Sequence, residues 1–257
     1  MPDIAQFAPI IANLVPYPPI FISISGAHLY GFASPRSDVD LRGCHLLPVR
    51  TMLGLGPIKQ EIRRVLTVAG AEVDLVSEDL VRYVVLVIQQ RGNYLEQLYS
   101  PLVVVDSPWA AELRELVRQG AMTRHAYHHY AGFARGQWQR WRKEITPAAA
   151  LKALLYAYRV SLTGLHLLRT GEIETDLGVL APLYGYHELL DLIAAKKADA
   201  EQVPIVVDHH EAELAHLQDG LVAAYQSSPL PAEVTNRDAL DDFVVRVRLT
   251  VFRHELG

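Results

Sequence analysis

The sequence predicts an α+β protein: a mixed β-sheet core with flanking helices over residues 1–107, followed by an all-α helical C-terminal domain over 108–257. Three observations carry that prediction. Short β-rich runs crowd the first part of the chain, helical periodicity dominates the rest, and the helix start signal Ser107-Pro108 separates them.

The elements follow in order. Residues 20–25 form a β-rich run ending in Gly26, residues 38–47 alternate with period two, and residues 61–68 and 71–76 are two further runs. The small Ala69-Gly70-Ala71 connection suits a hairpin between the last two. Ser77-Glu78-Asp79 offers an N-cap oxygen and acidic first-turn residues, so a helix is expected from there to about Arg91, with Gly92 ending it. Residues 102–105 read as a last edge strand. Beyond Ser107, helices are expected over 108–119, 123–143, 147–170, 187–200, 209–226 and 236–255. Thr146-Pro147 repeats the start signal and Thr170-Gly171 is a stop.

Composition narrows the function classes. Half of the 257 residues are hydrophobic and 21% are charged, a balance that excludes wholesale disorder. A net charge of −5 argues against coating nucleic acid through bulk charge. Cys44 is the single cysteine, which excludes an internal disulfide framework and suits a reducing compartment. No apolar run reaches the ~20 residues of a membrane span, and no basic segment followed by an apolar stretch opens the chain. A cytoplasmic protein with no membrane partner is expected.

The chemistry concentrates around Ser25-Gly26-Ala27-His28-Leu29-Tyr30-Gly31 and Ser37-Asp38-Val39-Asp40-Leu41-Arg42-Gly43. On an extended run, Asp38 and Asp40 point to one face and Val39 and Leu41 to the other. Two adjacent carboxylates repel unless a cation lies between them. Mg²⁺ prefers hard oxygen ligands and takes one or two carboxylates together with substrate phosphates. Glycine bends after a strand expose N–H groups to anions, so residues 26–31 are candidates for holding phosphates. Asp74, in Glu72-Val73-Asp74-Leu75-Val76, supplies a third carboxylate on a second strand. Three such acids can hold two Mg²⁺ ions about 3.5–4 Å apart for in-line phosphoryl displacement.

Gly-x-x-x-Tyr-Gly, Ser-Asp-x-Asp-x-Arg-Gly and a later Val-Asp-Leu together resemble the polymerase-β nucleotidyltransferase superfamily, and more specifically the predicted nucleotidyltransferases found beside RNA ligases. Asn93-Tyr94-Leu95-Glu96-Gln97-Leu98-Tyr99-Ser100-Pro101, Leu151-Lys152-Ala153-Leu154-Leu155-Tyr156 and the stretch from Arg159 through Leu167-Leu168-Arg169-Thr170-Gly171 extend the resemblance over about residues 20 to 200. It implies transfer of a nucleoside monophosphate from a nucleoside triphosphate, with ATP expected, to an acceptor hydroxyl. Mg²⁺ or Mn²⁺ would be held by Asp38, Asp40 and Asp74, and Asp74 would also activate the nucleophile. Nucleotide contacts are expected from Gly26, Ala27, Tyr30, Ser37, Arg42, Lys152, Tyr156 and Arg159. RNA or transfer RNA, within RNA end processing or repair, is one acceptor the resemblance leaves open beside a protein side chain or a small molecule, and an RNA ligase is an implied associate. One departure stands out. The superfamily usually carries Gly-Ser where this chain has Gly26-Ala27, so a hydroxyl donor to phosphate, worth about 1.5–3 kcal/mol, is missing unless Ser25, Ser34 or Ser37 replaces it.

The helical half offers less specific signals. Lys152, Tyr156, Arg159, Thr163 and His166 form a polar stripe on one helix, open to a phosphate grip or to simple solvation. Arg159 and His166 also match the loose Arg-x6-His pattern of helical ribonuclease domains, the basis of an alternative antitoxin or ribonuclease reading. A non-catalytic nucleotide-binding or regulatory module is the other alternative, favoured by Ala27. Arg135, Arg140, Arg142 and Lys143 with Trp138 and Trp141 form a basic-aromatic cluster that could track RNA. His125, His128 and His129, like His209, His210 and Glu211, read as ordinary surface or core residues.

Overall fold

The computed structural model describes residues 4–144, 146–200 and 203–255. It contains a five-stranded sheet made of β1 (Pro19–Ser25), β2 (Val39–His45), β3 (Glu61–Val68), β4 (Ala71–Asp79) and β5 (Val103–Val105), in the order β3-β4-β2-β1-β5. β2 and β4 run parallel and the other neighbours antiparallel, so the sheet is mixed. The alternation seen in the sequence gives it one apolar face: Val39, Leu41, Val73 and Leu75 are at most 2% exposed. Ala69 and Gly70 both have positive φ (49° and 85°), the pattern of a tight two-residue hairpin turn between β3 and β4.

The helices in chain order are α1 (Ala8–Leu14), α2 (Gly26–Leu29), α3 (Val49–Leu53), α4 (Leu80–Ile88), α5 (Gly92–Leu98), α6 (Pro108–Leu116), α7 (Ala126–Trp141), α8 (Pro147–Thr170), α9 (Leu177–Leu183), α10 (Leu189–Lys197), α11 (Val207–Ser227) and α12 (Arg237–Val251). Ser107 and Thr146 cap α6 and α8 with their hydroxyls, and Gly171, at φ 78°, closes α8 in the left-handed conformation. No helix among the described residues is long and apolar enough to cross a membrane.

Two expectations fail between residues 77 and 92. Ser77-Glu78-Asp79 does not begin a helix, because the parallel ladder with β2 continues to His45 opposite Asp79. Asp79 is the true cap, accepting from Val81 N at 3.0 Å. Gly92 does not end that helix but begins α5. α4 stops at Ile88, and Gln90 makes the left-handed turn (φ 58°).

The chain forms two units. The first takes in the chain up to Gly26, Asp38–Met122 and the chain from Glu233 onward. It holds the sheet, with Tyr83 of α4 packed edge-on against Phe21 at 5.3 Å between ring centroids. The fully buried Asp79 accepts Arg248 Nη2 from α12 on both carboxylate oxygens (2.9 and 2.7 Å), and Arg248 Nε reaches Leu47 O at 3.1 Å. His45, with no exposure, is 5.6 Å from the Tyr17 ring and 2.9 Å from Ser77 Oγ; burial pushes its pKa down to about 4. The second unit comprises Ala27–Ser37 and Thr123–Ala232 and is helical. α7 packs along α8, where Gly164 is needed because a Cβ there would lie 2.5 Å from Tyr130 Cβ.

Candidate active site

In the first unit, hydrogen-bond register brings two of the expected acids together. Asp40 on β2 is the direct partner of Asp74 on β4. Ser25 on β1 is opposite Asp40, and Val65 on β3 is opposite Asp74. Directly opposed residues share a face of the sheet. Read across the strands, the row is therefore Ser25, Asp40, Asp74, Val65, on the face away from Leu41 and Leu75.

Two guanidiniums neutralise this pair. Arg42, two residues along the same face, places Nη2 at 2.5 Å from Asp40 Oδ1 and 3.0 Å from Asp74 Oδ2. Its Nη1 donates to Leu41 O at 3.0 Å and Asp74 O at 2.5 Å. Arg63 of β3 reaches Asp74 Oδ2 at 3.3 Å. The arrangement meets the electrostatic requirement for juxtaposed carboxylates, with an organic cation between them. Asp74 Oδ1 is buried without a hydrogen-bond partner among the described residues.

Gly26 is demanded twice over at this site. Its φ of +63° is left-handed, and a Cβ would fall 2.0 Å from Asp40 Oδ2. The glycine bend and the Asp40 carboxylate are thus in direct contact. Asp38 lies exposed just before β2 begins. No three His, Cys, Asp or Glu side chains form a metal-holding group among the described residues. With Arg42 holding Asp40 Oδ1 and Asp74 Oδ2, Asp74 Oδ1 is left as a buried oxygen, unpartnered among the described residues and of the hard type that a divalent cation takes.

A model of the RlaP family, described as the RNA repair pathway DNA polymerase beta family, matches residues 4–246. The chain belongs to that family. This bears out the resemblance read from the motifs and makes the protein polymerase-β-like and a member of an RNA repair pathway family. Over 170 residues the chain is 29% identical to the uncharacterized protein MJ0002 of Methanocaldococcus jannaschii, covering 66% of this chain and 68% of that protein. A nucleotidyltransferase-like protein from Exiguobacterium sibiricum 255-15 is similar at a TM-score of 0.32 and 13% identity, covering 86% of this chain and 73% of that one.

Tyr30, Ser37, Lys152, Tyr156 and Arg159, also expected from the sequence to contact nucleotide, belong to the second unit. Arg159 of α8 is 2% exposed, with its guanidinium 3.7 Å from the Tyr30 ring centroid and 6.0 Å from that of Tyr156. Tyr30 and Tyr156 meet edge-on at 5.7 Å, and Lys152 Nζ lies 5.9 Å from the Tyr156 ring. The stripe on α8 is therefore exposed at Lys152 and buried at Arg159 and Thr163. Ala27 is buried. The Ser37 hydroxyl accepts from Ser34 N at 3.0 Å, closing a local turn. Of the three serines that could replace the missing hydroxyl, Ser25 is the one in the row with Asp40.

Other signals resolve plainly. His166 pairs with Tyr184 Oη at 3.1 Å and is half-buried, and burial lowers its pKa. Trp141 is buried, while Arg140 and Arg142, two of the four cations in the basic-aromatic cluster, pair with Glu144 (3.0 Å) and Glu211 (2.9 Å). His210 is buried against Tyr158 Oη at 2.9 Å. Cys44 is buried, with burial pushing its thiol pKa well up. The sequence reading missed Arg63 and Val65. The signal was present: counting outward from the Ala69-Gly70 turn pairs Val65 with Asp74.

Proposed function

We propose that this protein is a nucleotidyltransferase that moves a nucleoside monophosphate from a nucleoside triphosphate, ATP in the first instance, to the terminal hydroxyl of an RNA, within RNA end processing or repair. One observation carries the reading. Asp40 and Asp74 are register partners on parallel strands, with the Gly26 bend pressed against the first of them.

In this reading the bend at Gly26, with Ser25 beside it, positions the triphosphate. Asp40 and Asp74 would hold Mg²⁺ or Mn²⁺, which when bound would supply Lewis-acid neutralisation of the phosphate oxygens, and Asp38, exposed just before β2, would have to turn toward them to complete the expected trio. Asp74 orients the acceptor hydroxyl and takes its proton. The acceptor oxygen bonds to the α-phosphorus, the bond from that phosphorus to the bridging oxygen of the β-phosphate breaks, and pyrophosphate leaves with the electron pair. Arg42, anchored on two carbonyls, keeps the paired carboxylates neutralised before substrate arrives. Transfer RNA as acceptor, an RNA ligase as associate and a cytoplasmic location belong to the same proposal.

The test is incubation with labelled triphosphates, Mg²⁺ and RNA. Asp40→Asn and Asp74→Asn should each lower pyrophosphate release by roughly 10²–10³-fold while circular dichroism is retained, a loss typical of groups that stabilise transition-state charge. Wild-type rates in both variants would defeat the proposal. A second reading, nucleotide binding without transfer, is favoured by Ala27 and by Arg42 between the carboxylates. It would be selected by saturable ATP binding with no pyrophosphate from the wild type and new turnover in Ala27→Ser.

A further inference from the structure

We propose that β3, the edge strand beside Asp74, is the acceptor-docking strand, and that Arg63 is a phosphate ligand for a single-stranded RNA end whose terminal nucleotide lies against Val65. This rests on the transferase reading and adds the substrate side to it.

The order of the row supplies the first argument. An in-line displacement puts the nucleophile and the leaving group on opposite sides of the phosphorus. The glycine bend lies at the β1 end, beside Asp40, so the triphosphate belongs there. The side left for the acceptor is beyond Asp74, where Val65 is its direct cross-strand neighbour.

The second argument is the contrast between the two arginines. Arg42 is 19% exposed and holds two backbone carbonyls as well as both carboxylates. Its place is fixed. Arg63 is 64% exposed and touches Asp74 through a single 3.3 Å contact. Once another cation neutralises the carboxylates, Arg63 is the guanidinium free to turn to a phosphate, for which its planar fork is suited.

Charge and shape add a third argument. Residues 59–68 carry three cations, Lys59, Arg63 and Arg64, against Glu61 alone in a chain of net charge −5; Arg63 shares the Val65 face and Arg64, opposite Leu75, lies on the other. Val65, 59% exposed, lies on the same face as Arg63 and offers apolar surface to a ribose or base.

The experiment uses the full chain and a short fluorescein-labelled single-stranded oligoribonucleotide with a free 3′-hydroxyl. Arg63→Gln should weaken its binding roughly tenfold, the scale of one charge-assisted contact. It should also reduce the slope of log affinity against log salt by about 0.7 and raise the KM for RNA more than the KM for ATP. Val65→Asp should weaken RNA binding too, through repulsion of the backbone. Arg63→Lys, which keeps the charge but not the fork, should recover part of the affinity. A raised KM for ATP with unchanged RNA binding would overturn the proposal by placing Arg63 on the donor side. Unaltered binding of both substrates would overturn it outright. Wild-type transfer lost for every triphosphate tested, with RNA binding still dependent on Arg63, would sink the transferase reading and leave the docking strand supported.

Discussion

Gly26→Ala separates the chemistry of the site from the stability of the fold. The added Cβ would lie 2.0 Å from Asp40 Oδ2, against a practical minimum of 3.0 Å for such contacts, so the carboxylate must retreat by at least 1.0 Å. A displacement of about 1 Å at a reacting centre can cost roughly 10²-fold in rate. Independently, alanine at φ +63° costs about 1–2 kcal/mol of backbone strain, or roughly 2–8 °C in melting temperature for a chain of this size. Gly171→Ala is the control. It carries the same kind of strain at φ +78°, but its Cβ would meet only Leu230 Cδ2 at an ordinary 3.6 Å. For the proposed transferase, pyrophosphate release with ATP, Mg²⁺ and RNA, measured beside thermal unfolding, should show a stability loss in both variants, larger in Gly26→Ala where the paired Asp40 carboxylate is displaced, and a rate loss in Gly26→Ala alone. A Gly26→Ala protein that melts early yet transfers at the wild-type rate would refute the claim that contact between the bend and Asp40 sets the geometry.

Two further predictions concern the platform beneath the site. His45 titrates at about 4 in the fold against its ordinary 6.5, so the unfolded chain binds the proton first as pH falls. The sign follows: stability is fully present above pH 6.5 and declines by up to about 3 kcal/mol as pH falls to 4. Urea titrations across that window should show the decline in wild type and a shallower one in His45→Gln; equal slopes would contradict the assignment. Arg248→Met strands the buried Asp79 carboxylate and should cost about 3–5 kcal/mol in denaturant unfolding. Asp79→Asn combined with Arg248→Met should cost less than the two single losses together; strict additivity would count against the pair.

The sequence alone determined much of the secondary structure, because local physics governs it. The boundaries of α8 were legible from Thr146-Pro147 and Thr170-Gly171, since capping hydroxyls and a left-handed glycine act within a few residues. The β3–β4 hairpin and the two-faced alternation of β2 and β4 were legible for the same reason. The aspartate motif and its family were readable as well. The helix expected at Ser77 was not there, because the length of β4 is set by its ladder with β2, a partner more than thirty residues away. Local sequence could not show that Arg42 lies between Asp40 and Asp74, or that Arg159 is buried against Tyr30. Those juxtapositions depend on which strand lies beside which, and on where one helix face meets a distant turn. Strand order and packing are decided by burial summed over the whole chain, whereas caps, turns and alternation are decided by neighbours. The residue types for the chemistry were written in the sequence; their arrangement into a neutralised pair with one open flank belongs to the tertiary structure.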